Sequence, residues 1–114
     1  MNKNSKLNII KNNKLKHAIL AALADEVSKT ILDSTITQSK TVDEIIAEKK
    51  IPHTTAYRKV EWLLSKQLLL IEKIEKSKIN ESRFLLARFS NIFIEYREGD
   101  IDINAINNKK ISEL

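Results

Sequence analysis

The chain has 114 residues and a formal net charge of +5, with one glycine, one proline and no cysteine. A chain of this length forms one domain with a modest core. Without cysteine it has no disulfide and no thiolate metal site, and His17 and His53 are too isolated in sequence to suggest a zinc site. Glycine and proline usually make up roughly 7% and 5% of a protein, so their scarcity here predicts few tight turns.

The charge balance favours an anionic partner, because 20 Lys and Arg residues outnumber 15 Asp and Glu residues. Nucleic acid is the most plausible partner of this kind. No window approaches the roughly 18 apolar residues that a membrane span needs. The basic N-terminus also lacks the apolar segment and cleavage site of a secretory signal. We therefore expect a cytoplasmic protein without a membrane partner.

Residues 1–10 are rich in Asn and Lys and are predicted to be a flexible basic tail. The domain is predicted to span residues 11–106, followed by a C-terminal tail over 107–114. From residue 11 to about 34, apolar residues recur at helical spacing. The segment forms either one bent helix or two helices with a break near Ala24, where Asp25 can cap the second. The stripe consists of Leu20, Leu23, Val27 and Ile31.

A short helix is predicted over about Val42 to Lys49, after a polar, β-branched segment, TITQSKT, that reads as a loop or a very short strand. Thr41 and Glu44 match a capping box, in which each side chain bonds to the backbone N–H of the other residue. Asp43 and Glu44 also suit the positive end of the helix dipole.

A longer helix is predicted after Pro52, over about residues 53–66, because proline is tolerated in a first turn but not in a helix interior. One side of this helix is apolar and the other is polar. The apolar side consists of Ala56, Val60, Leu63 and Leu64. The polar side consists of Thr54, Arg58, Glu61 and Ser65.

The remainder of the chain alternates in a way that is typical of strands and predicts two hairpins. The first spans about residues 69–88 around the polar, basic segment KSKINE. The second places the strands NIFIEY and DIDINAI on either side of REGD. Gly99 stands where a short hairpin loop requires a positive φ.

The predicted fold is therefore α+β: N-terminal helices, a helix-turn-helix, a β-hairpin wing and a second C-terminal β-hairpin. In such units the second helix enters the major groove of double-stranded DNA, and the wing lies on the backbone or in the minor groove. Arginine can pair with guanine or phosphate, hydroxyls can bond to bases or phosphates, and wing lysines suit the backbone. The predicted DNA contacts are Thr41, His53, Thr54, Thr55, Tyr57, Arg58, Lys59, Lys76, Lys78 and Arg83.

The segment from Leu23 to Arg88 resembles ArsR-like transcriptional regulators of archaea and bacteria. The resemblance is most specific in the residues that match T-x-Y-R-x-V-x-x-L, followed by a hydrophobic strand. It implies a winged helix-turn-helix with the recognition helix over about 53–66 and the wing over about 69–88. The matching residues are Thr55, Tyr57, Arg58, Val60 and Leu63.

The chain departs from the family pattern in three respects. Gln67 stands where members usually carry glycine, so we expect the recognition helix to end without its left-handed cap. The wing tip also lacks a glycine. The cysteines of the metal-sensing branch are absent, so no thiolate sensor is expected, and neither a cofactor nor a small-molecule effector is identified.

The N-terminal helix carries more apolar surface than a minimal winged helix requires. In the family that it resembles, the corresponding helix often pairs two subunits, which suits two-fold operators. We predict a homodimer through this helix, with a contribution from the final hairpin. Trp62 lies outside the apolar face of its helix and is expected to pack on the wing or a terminal segment, or else to meet a partner. The predicted dimer contacts are Leu15, Ile19, Leu20 and Leu23.

No catalytic assembly is visible in the sequence, so we do not expect an enzyme. The leading hypothesis is a sequence-specific DNA-binding transcriptional regulator. Two alternatives stay open: a winged helix that serves as a protein-interaction module in a larger assembly, and a chromatin protein that binds DNA without sequence preference.

Overall fold

The computed structural model describes residues 6–113 and is an α+β fold. Within these residues it contains four α-helices and two small antiparallel sheets. One sheet has the strand order β1-β5-β4 and the other is the hairpin β2–β3. In chain order the elements are β1 Leu7–Ile10, α1 Asn13–Ala24, α2 Glu26–Ser34, α3 Val42–Lys49, α4 His53–Ser65, β2 Leu69–Lys76, β3 Glu81–Ala87, β4 Phe89–Arg97, β5 Asp100–Asn107 and a 3₁₀-helix Lys109–Glu113.

The N-terminal helical segment forms two helices rather than one bent helix, and Asp25 separates them. The Asp25 backbone N–H donates to the Ala22 carbonyl at the end of α1. Its carboxylate accepts from the Ser28 backbone N–H at 3.0 Å and so caps α2. The predicted break near Ala24 and the predicted cap are confirmed.

The short helix α3 begins with the predicted capping box. Thr41 Oγ1 accepts from the Glu44 N–H at 3.2 Å, and a Glu44 carboxylate oxygen accepts from the Thr41 N–H at 3.0 Å. The helix ends at Lys50, which has a φ of +56° and donates its N–H to the Ile46 carbonyl. A turn of three residues, 50–52, then leads into α4.

The apolar stripe of α4 is the centre of the core. Ala56, Val60 and Leu63 are completely buried, and Leu64 is partly buried against the same cluster. Pro52 occupies the capping position just before α4, where its missing N–H costs no helical hydrogen bond. The predicted helix and its buried side are confirmed.

Gln67 adopts the left-handed conformation that glycine usually takes after a helix, with a φ of +59°. Its N–H donates to the Leu64 carbonyl, and the Leu68 N–H donates to the Leu63 carbonyl, both at 3.0 Å. These two bonds form a Schellman motif. The expectation that α4 ends without a left-handed cap is therefore wrong, because the two capping bonds form even though the residue has a β-carbon.

The hairpin β2–β3 follows α4 directly and is fastened to the helices at its base. Leu69 and Leu85 are buried there, and Leu85 exchanges two backbone hydrogen bonds with Lys40, of 2.7 and 3.0 Å. The segment before α3 was predicted to be a loop or a very short strand, and this bridge is a short strand-like contact within it. The register of the hairpin shifts between Ile71 and Lys73, so that Glu72 is bulged and its carboxylate accepts from Ser39 Oγ at 2.7 Å.

The second sheet joins the start of the described chain to its end. Leu7–Ile10 form an edge strand paired with β5, with Ile10 opposite Ile103 and both buried. The prediction of a flexible tail is therefore wrong for residues 7–10, and residues 1–5 lie outside the described residues. Long-range pairing orders this segment, and no local pattern in four residues signals it.

The tight turn of the second hairpin is the one predicted. Arg97 and Asp100 are paired across a two-residue loop. Both loop residues have positive φ, +51° at Glu98 and +92° at Gly99, as a type I′ turn requires.

The C-terminal segment is also more ordered than predicted. Asn108 is 3% exposed, and its side-chain amide donates to the carbonyls of Ile36 and Ala87 at 2.7 and 3.0 Å. A 3₁₀-helix, Lys109–Glu113, follows. The predicted tail over 107–114 is thus wrong for residues 107–113, and Leu114 lies outside the described residues. No helix in the described part of the chain combines the length and the apolar character needed to cross a bilayer.

Replacing Gln67 with glycine should stabilise the protein, because it relieves a left-handed residue that carries a β-carbon. We expect Gln67→Gly to raise the free energy of unfolding by about 0.5–1 kcal/mol, measured by urea denaturation. Gln67→Ala is the matched control, since it removes the same side chain but keeps the β-carbon, and it should not stabilise. Equal effects of the two substitutions would show that the φ of residue 67 has no energetic consequence.

Candidate nucleic-acid interface

The first two turns of α4 present an exposed polar surface that faces away from the core. His53, Thr54 and Arg58 are all exposed there. The Arg58 guanidinium has no hydrogen-bond or ion-pair partner among residues 6–113. A free guanidinium and a free hydroxyl at a helix N-terminus are suited to phosphate oxygens or base edges.

Tyr57 connects α4 to α3. Its hydroxyl donates to a carboxylate oxygen of Asp43 at 3.1 Å, and its ring lies 4.5 Å from the His53 ring, centroid to centroid. The pKa of Tyr57 is raised, mainly by its partial burial and to a smaller extent by its hydrogen bond to Asp43. The hydroxyl predicted to contact DNA is therefore already engaged, and it fixes the relative positions of the two helices.

Lys59 connects α4 to the beginning of α2. Its Nζ lies 3.1 Å from Asp25 Oδ2, the same carboxylate that caps α2. The hydrogen bonds from Ser28, together with the Lys59 ammonium, lower the pKa of Asp25 from 3.8 to about 2. Lys59 is thus committed to a tertiary ion pair, and its predicted role in DNA contact would require breaking that pair.

Arg83 connects the hairpin to α4. Its guanidinium donates to a carboxylate oxygen of Glu61, which lies on the exposed side of α4 one turn beyond Arg58. Arg83 also lines a cleft of about 70 Å³ whose other walls include Thr41, Asp43 and Tyr57. The Arg83–Glu61 ion pair holds the hairpin beside the polar side of α4. It also engages Arg83, a cation that the sequence predicted to contact DNA.

Most cations of the hairpin are paired as well. Lys73 lies 3.3 Å from Glu75 and over the Phe84 ring, and Lys76 lies 3.8 Å from Glu81. Exposed pairs of this kind contribute only about 0–1 kcal/mol, so a phosphate can compete for the lysine. Lys78 is the exposed hairpin lysine without a partner among the described residues, at the tip between Ser77 and Asn80.

The two remaining predicted contacts are partly buried. Thr41 is the cap of α3 and uses its hydroxyl there. Thr55 is half-buried, between the exposed Thr54 and the buried Ala56. Four of the ten predicted DNA contacts are exposed and make no side-chain hydrogen bond or ion pair within the described residues: His53, Thr54, Arg58 and Lys78.

Sequence reasoning missed three further exposed lysines around α4. Lys49 and Lys50 lie at the end of α3, and Lys66 lies just after α4. None has a side-chain partner within residues 6–113. For Lys49 and Lys50 this placement was visible in the sequence, since the two lysines stand just before Ile51 and the break at Pro52.

The residues predicted to form a dimer contact on α1 belong largely to the core of one molecule. Ile19 is 1% exposed, so it cannot meet a partner, and its assignment to a dimer interface is wrong. Leu15, Leu20 and Leu23 are half-buried and pack against the same core. The same cluster includes residues of the β1-β5-β4 sheet, of which the sequence predicted the hairpin but not β1. Trp62 is half-buried against the core as well.

The described residues contain no group of three or more His, Asp or Glu side chains arranged to hold a metal ion. No family model matches the chain, and neither a curated protein nor a solved structure matches it. The assignment of a function therefore depends on the geometry and charge of the chain itself.

The Asp25 carboxylate should make a measurable contribution to acid stability. Because its pKa is lowered in the folded state, from 3.8 to about 2, its contribution is present above pH 3.8 and is lost as the pH falls through about 2. The full shift corresponds to about 2 kcal/mol, which solvent screening reduces to about 1 kcal/mol because the side chain is 37% exposed.

Asp25→Asn isolates this contribution, because asparagine caps a helix as well as aspartate does but carries no charge. The free energy of unfolding of the variant should be about 1 kcal/mol below that of the wild type near pH 6, and this difference should shrink as the pH falls through about 2. Urea denaturation across this range measures the difference. A difference that does not change with pH would contradict the lowered pKa of Asp25.

Proposed function

We propose that this chain is a sequence-specific DNA-binding transcriptional regulator with a winged helix-turn-helix. In this proposal α4 lies in the major groove, with its N-terminal residues at base edges, and the hairpin β2–β3 lies on the adjacent backbone or in the minor groove. The observation that carries the proposal is the unengaged Arg58 guanidinium beside Thr54, on the exposed side of a helix whose opposite side is fully buried.

The arrangement of elements supports this proposal. A three-residue turn joins α3 and α4, and the Tyr57–Asp43 bond fixes their angle. The Arg83–Glu61 pair and the Lys40–Leu85 bridge hold the hairpin against the same helices. A helix and a hairpin held rigidly side by side can engage a groove and its flanking phosphates without a large ordering cost.

The charge distribution supports the proposal as well. Unpaired lysines stand at both ends of the exposed side of α4, Lys49 and Lys50 before it and Lys66 after it, and Lys78 stands at the hairpin tip. Such cations release counterions when they neutralise phosphates, which gives affinity that falls steeply with salt. Sequence preference would come from Arg58 and Thr54, whose side chains can reach base edges.

Replacing Arg58 tests the proposed readout. Arg58→Ala should weaken binding to the preferred duplex, selected from a random pool, by about 1–3 kcal/mol and relax the preference at one base. Fluorescence anisotropy with the preferred and a scrambled duplex, each at two salt concentrations, measures both effects. If the folded variant discriminates the two duplexes as well as the wild type does, Arg58 does not read a base.

Two further variants make this result specific. Arg58→Lys keeps the charge but not the planar pair of donors, so it should retain affinity for scrambled DNA and lose discrimination. Lys14→Ala removes one positive charge from an exposed position on α1 and should change neither affinity nor discrimination beyond the general electrostatic effect.

Removing the charge of Glu61 tests the proposed docking side. Glu61→Gln should raise the affinity for any duplex at low salt by roughly three- to tenfold, because it removes a repulsive charge and frees Arg83 while the Lys40–Leu85 bridge still holds the hairpin. The same substitution at Glu26, an exposed residue of α2, is the matched control and should have little effect. An equal gain from both substitutions would indicate general electrostatics and not docking through α4.

One observation favours a second candidate, a winged helix that binds another protein. The hairpin exposes Ile71, Ile74 and Ile79, the last of them 87% exposed, and its lysines are largely neutralised by glutamates. An apolar, charge-balanced wing is suited to a protein surface. Failure of the wild type to bind any duplex at low salt would favour this candidate. Binding to all duplexes with equal affinity would instead indicate a sequence-independent chromatin protein.

A further inference from the structure

The three-stranded sheet β1-β5-β4 exposes apolar side chains on both of its faces. Nine large hydrophobic residues are exposed within the described chain, and six of them belong to this sheet. The register places Phe93 and Ile9 on the face that points away from the helices. It places Ile94 and Tyr96 on the opposite face, and both are exposed there. The six residues are Leu7, Ile9, Phe93, Ile94, Tyr96 and Ile101.

The outer edge of this sheet is an unprotected strand. β4 pairs with β5 on one side and with no strand on the other, within residues 6–113. Its segment 91–94, NIFI, contains no charge and no proline, two of the devices that commonly keep an edge from pairing, and the register irregularity of β4 lies before this segment, between Phe89 and Asn91. β2, by contrast, carries Glu72, Lys73, Glu75 and Lys76 along its length.

The turn at Gly99 determines which backbone groups of β4 are free. Arg97 and Asp100 flank the two-residue loop and bond to each other, so Glu95 and Phe93 also bond to β5. The backbone N–H and C=O groups of Ile92, Ile94 and Tyr96 therefore point outward from the sheet. A strand added at this edge must supply partners for these three residues.

We propose that β4 pairs antiparallel with β4 of a second copy of this chain, which joins the two sheets into one of six strands. In the register centred on Phe93, Ile92 lies opposite Ile94 of the other copy. The outward-pointing N–H and C=O groups of these two residues can then bond to each other, as in an antiparallel sheet. Phe93 packs against its own counterpart, and Glu95 lies opposite Asn91. No like charges face each other, and the pairing is the same from either chain, as a two-fold interface must be.

The edge of β1 is a poorer candidate for the same role. It offers four residues, Leu7–Ile10, against nine in β4. Lys6 and Lys11 flank it, and in an antiparallel pair of two β1 strands these lysines would crowd one another. The inference does not depend on DNA binding.

Substitutions on the outer face test the proposed interface. The wild-type chain should have twice its monomer mass of 13.1 kDa by sedimentation equilibrium in the upper part of a concentration series. Phe93→Lys places a charge opposite its own counterpart and should give a monomer. Ile9→Lys is the matched control, because Ile9 is exposed on the same face of the sheet but lies on β1. The Ile9→Lys variant should remain a dimer.

Engineered cysteines test the register without disturbing an apolar core, because the chain has no cysteine of its own. Under mild oxidation, Phe93→Cys should form a disulfide between two chains at least about tenfold faster than Ile9→Cys, since residues 93 of the two copies face each other in a closely spaced pair. Circular dichroism of each variant checks that the fold is retained.

Three results would overturn the proposal. The first is a wild-type chain that stays monomeric throughout the concentration series. The second is a dimer that persists in folded Phe93→Lys but is lost in Ile9→Lys, which would place the interface on β1. The third is disulfide formation at residue 93 that is no faster than at residue 9, which would exclude pairing through β4 in this register.

Discussion

Burial of one stripe of α4 is the interaction on which the rest of the structure depends. Ala56, Val60 and Leu63 are fully buried at successive turns of the helix, and they pack into the cluster to which α2 and the base of the hairpin contribute. Because the helix has about 3.6 residues per turn, burial of these three side chains places Thr54 and Arg58 on the exposed side of the helix. The orientation of the candidate interface is therefore a consequence of packing in the core.

Polar side chains on α4 complete this arrangement, and each connects the helix to a different element. Tyr57 bonds to Asp43 in α3, Lys59 to Asp25 at the start of α2, and Glu61 to Arg83 in β3. Several residues that look like DNA contacts in the sequence thus hold the geometry instead. Residue type alone cannot separate these roles, because a lysine or a tyrosine on the surface of a helix is equally suited to a phosphate and to a neighbouring carboxylate.

Local features were predictable from the sequence, and long-range ones were not. The capping box at Thr41, the cap at Asp25 and the turn at Gly99 depend on residues close together in the chain, and all are present. Pairing of β1 with β5 joins residues nearly the whole chain apart, and only a four-residue pattern was available to predict it. The left-handed Gln67 escaped prediction because the usual signal, a glycine, is absent there, while the hydrogen bonds and burial around it still impose that conformation.

The antiparallel pairing of β1 and β5 also has a consequence for the entropic cost of forming the fold. The helices α1 to α4 and both hairpins are built from hydrogen bonds between residues that lie close together in the sequence. Among the described elements Leu7–Ile10 form the first strand and their partner β5 is the last strand. The entropic cost of closing a loop grows with its length, so this pairing costs more than the contacts within either hairpin. The contact between the first and the last described strand is thus the one that local structure does least to prepare.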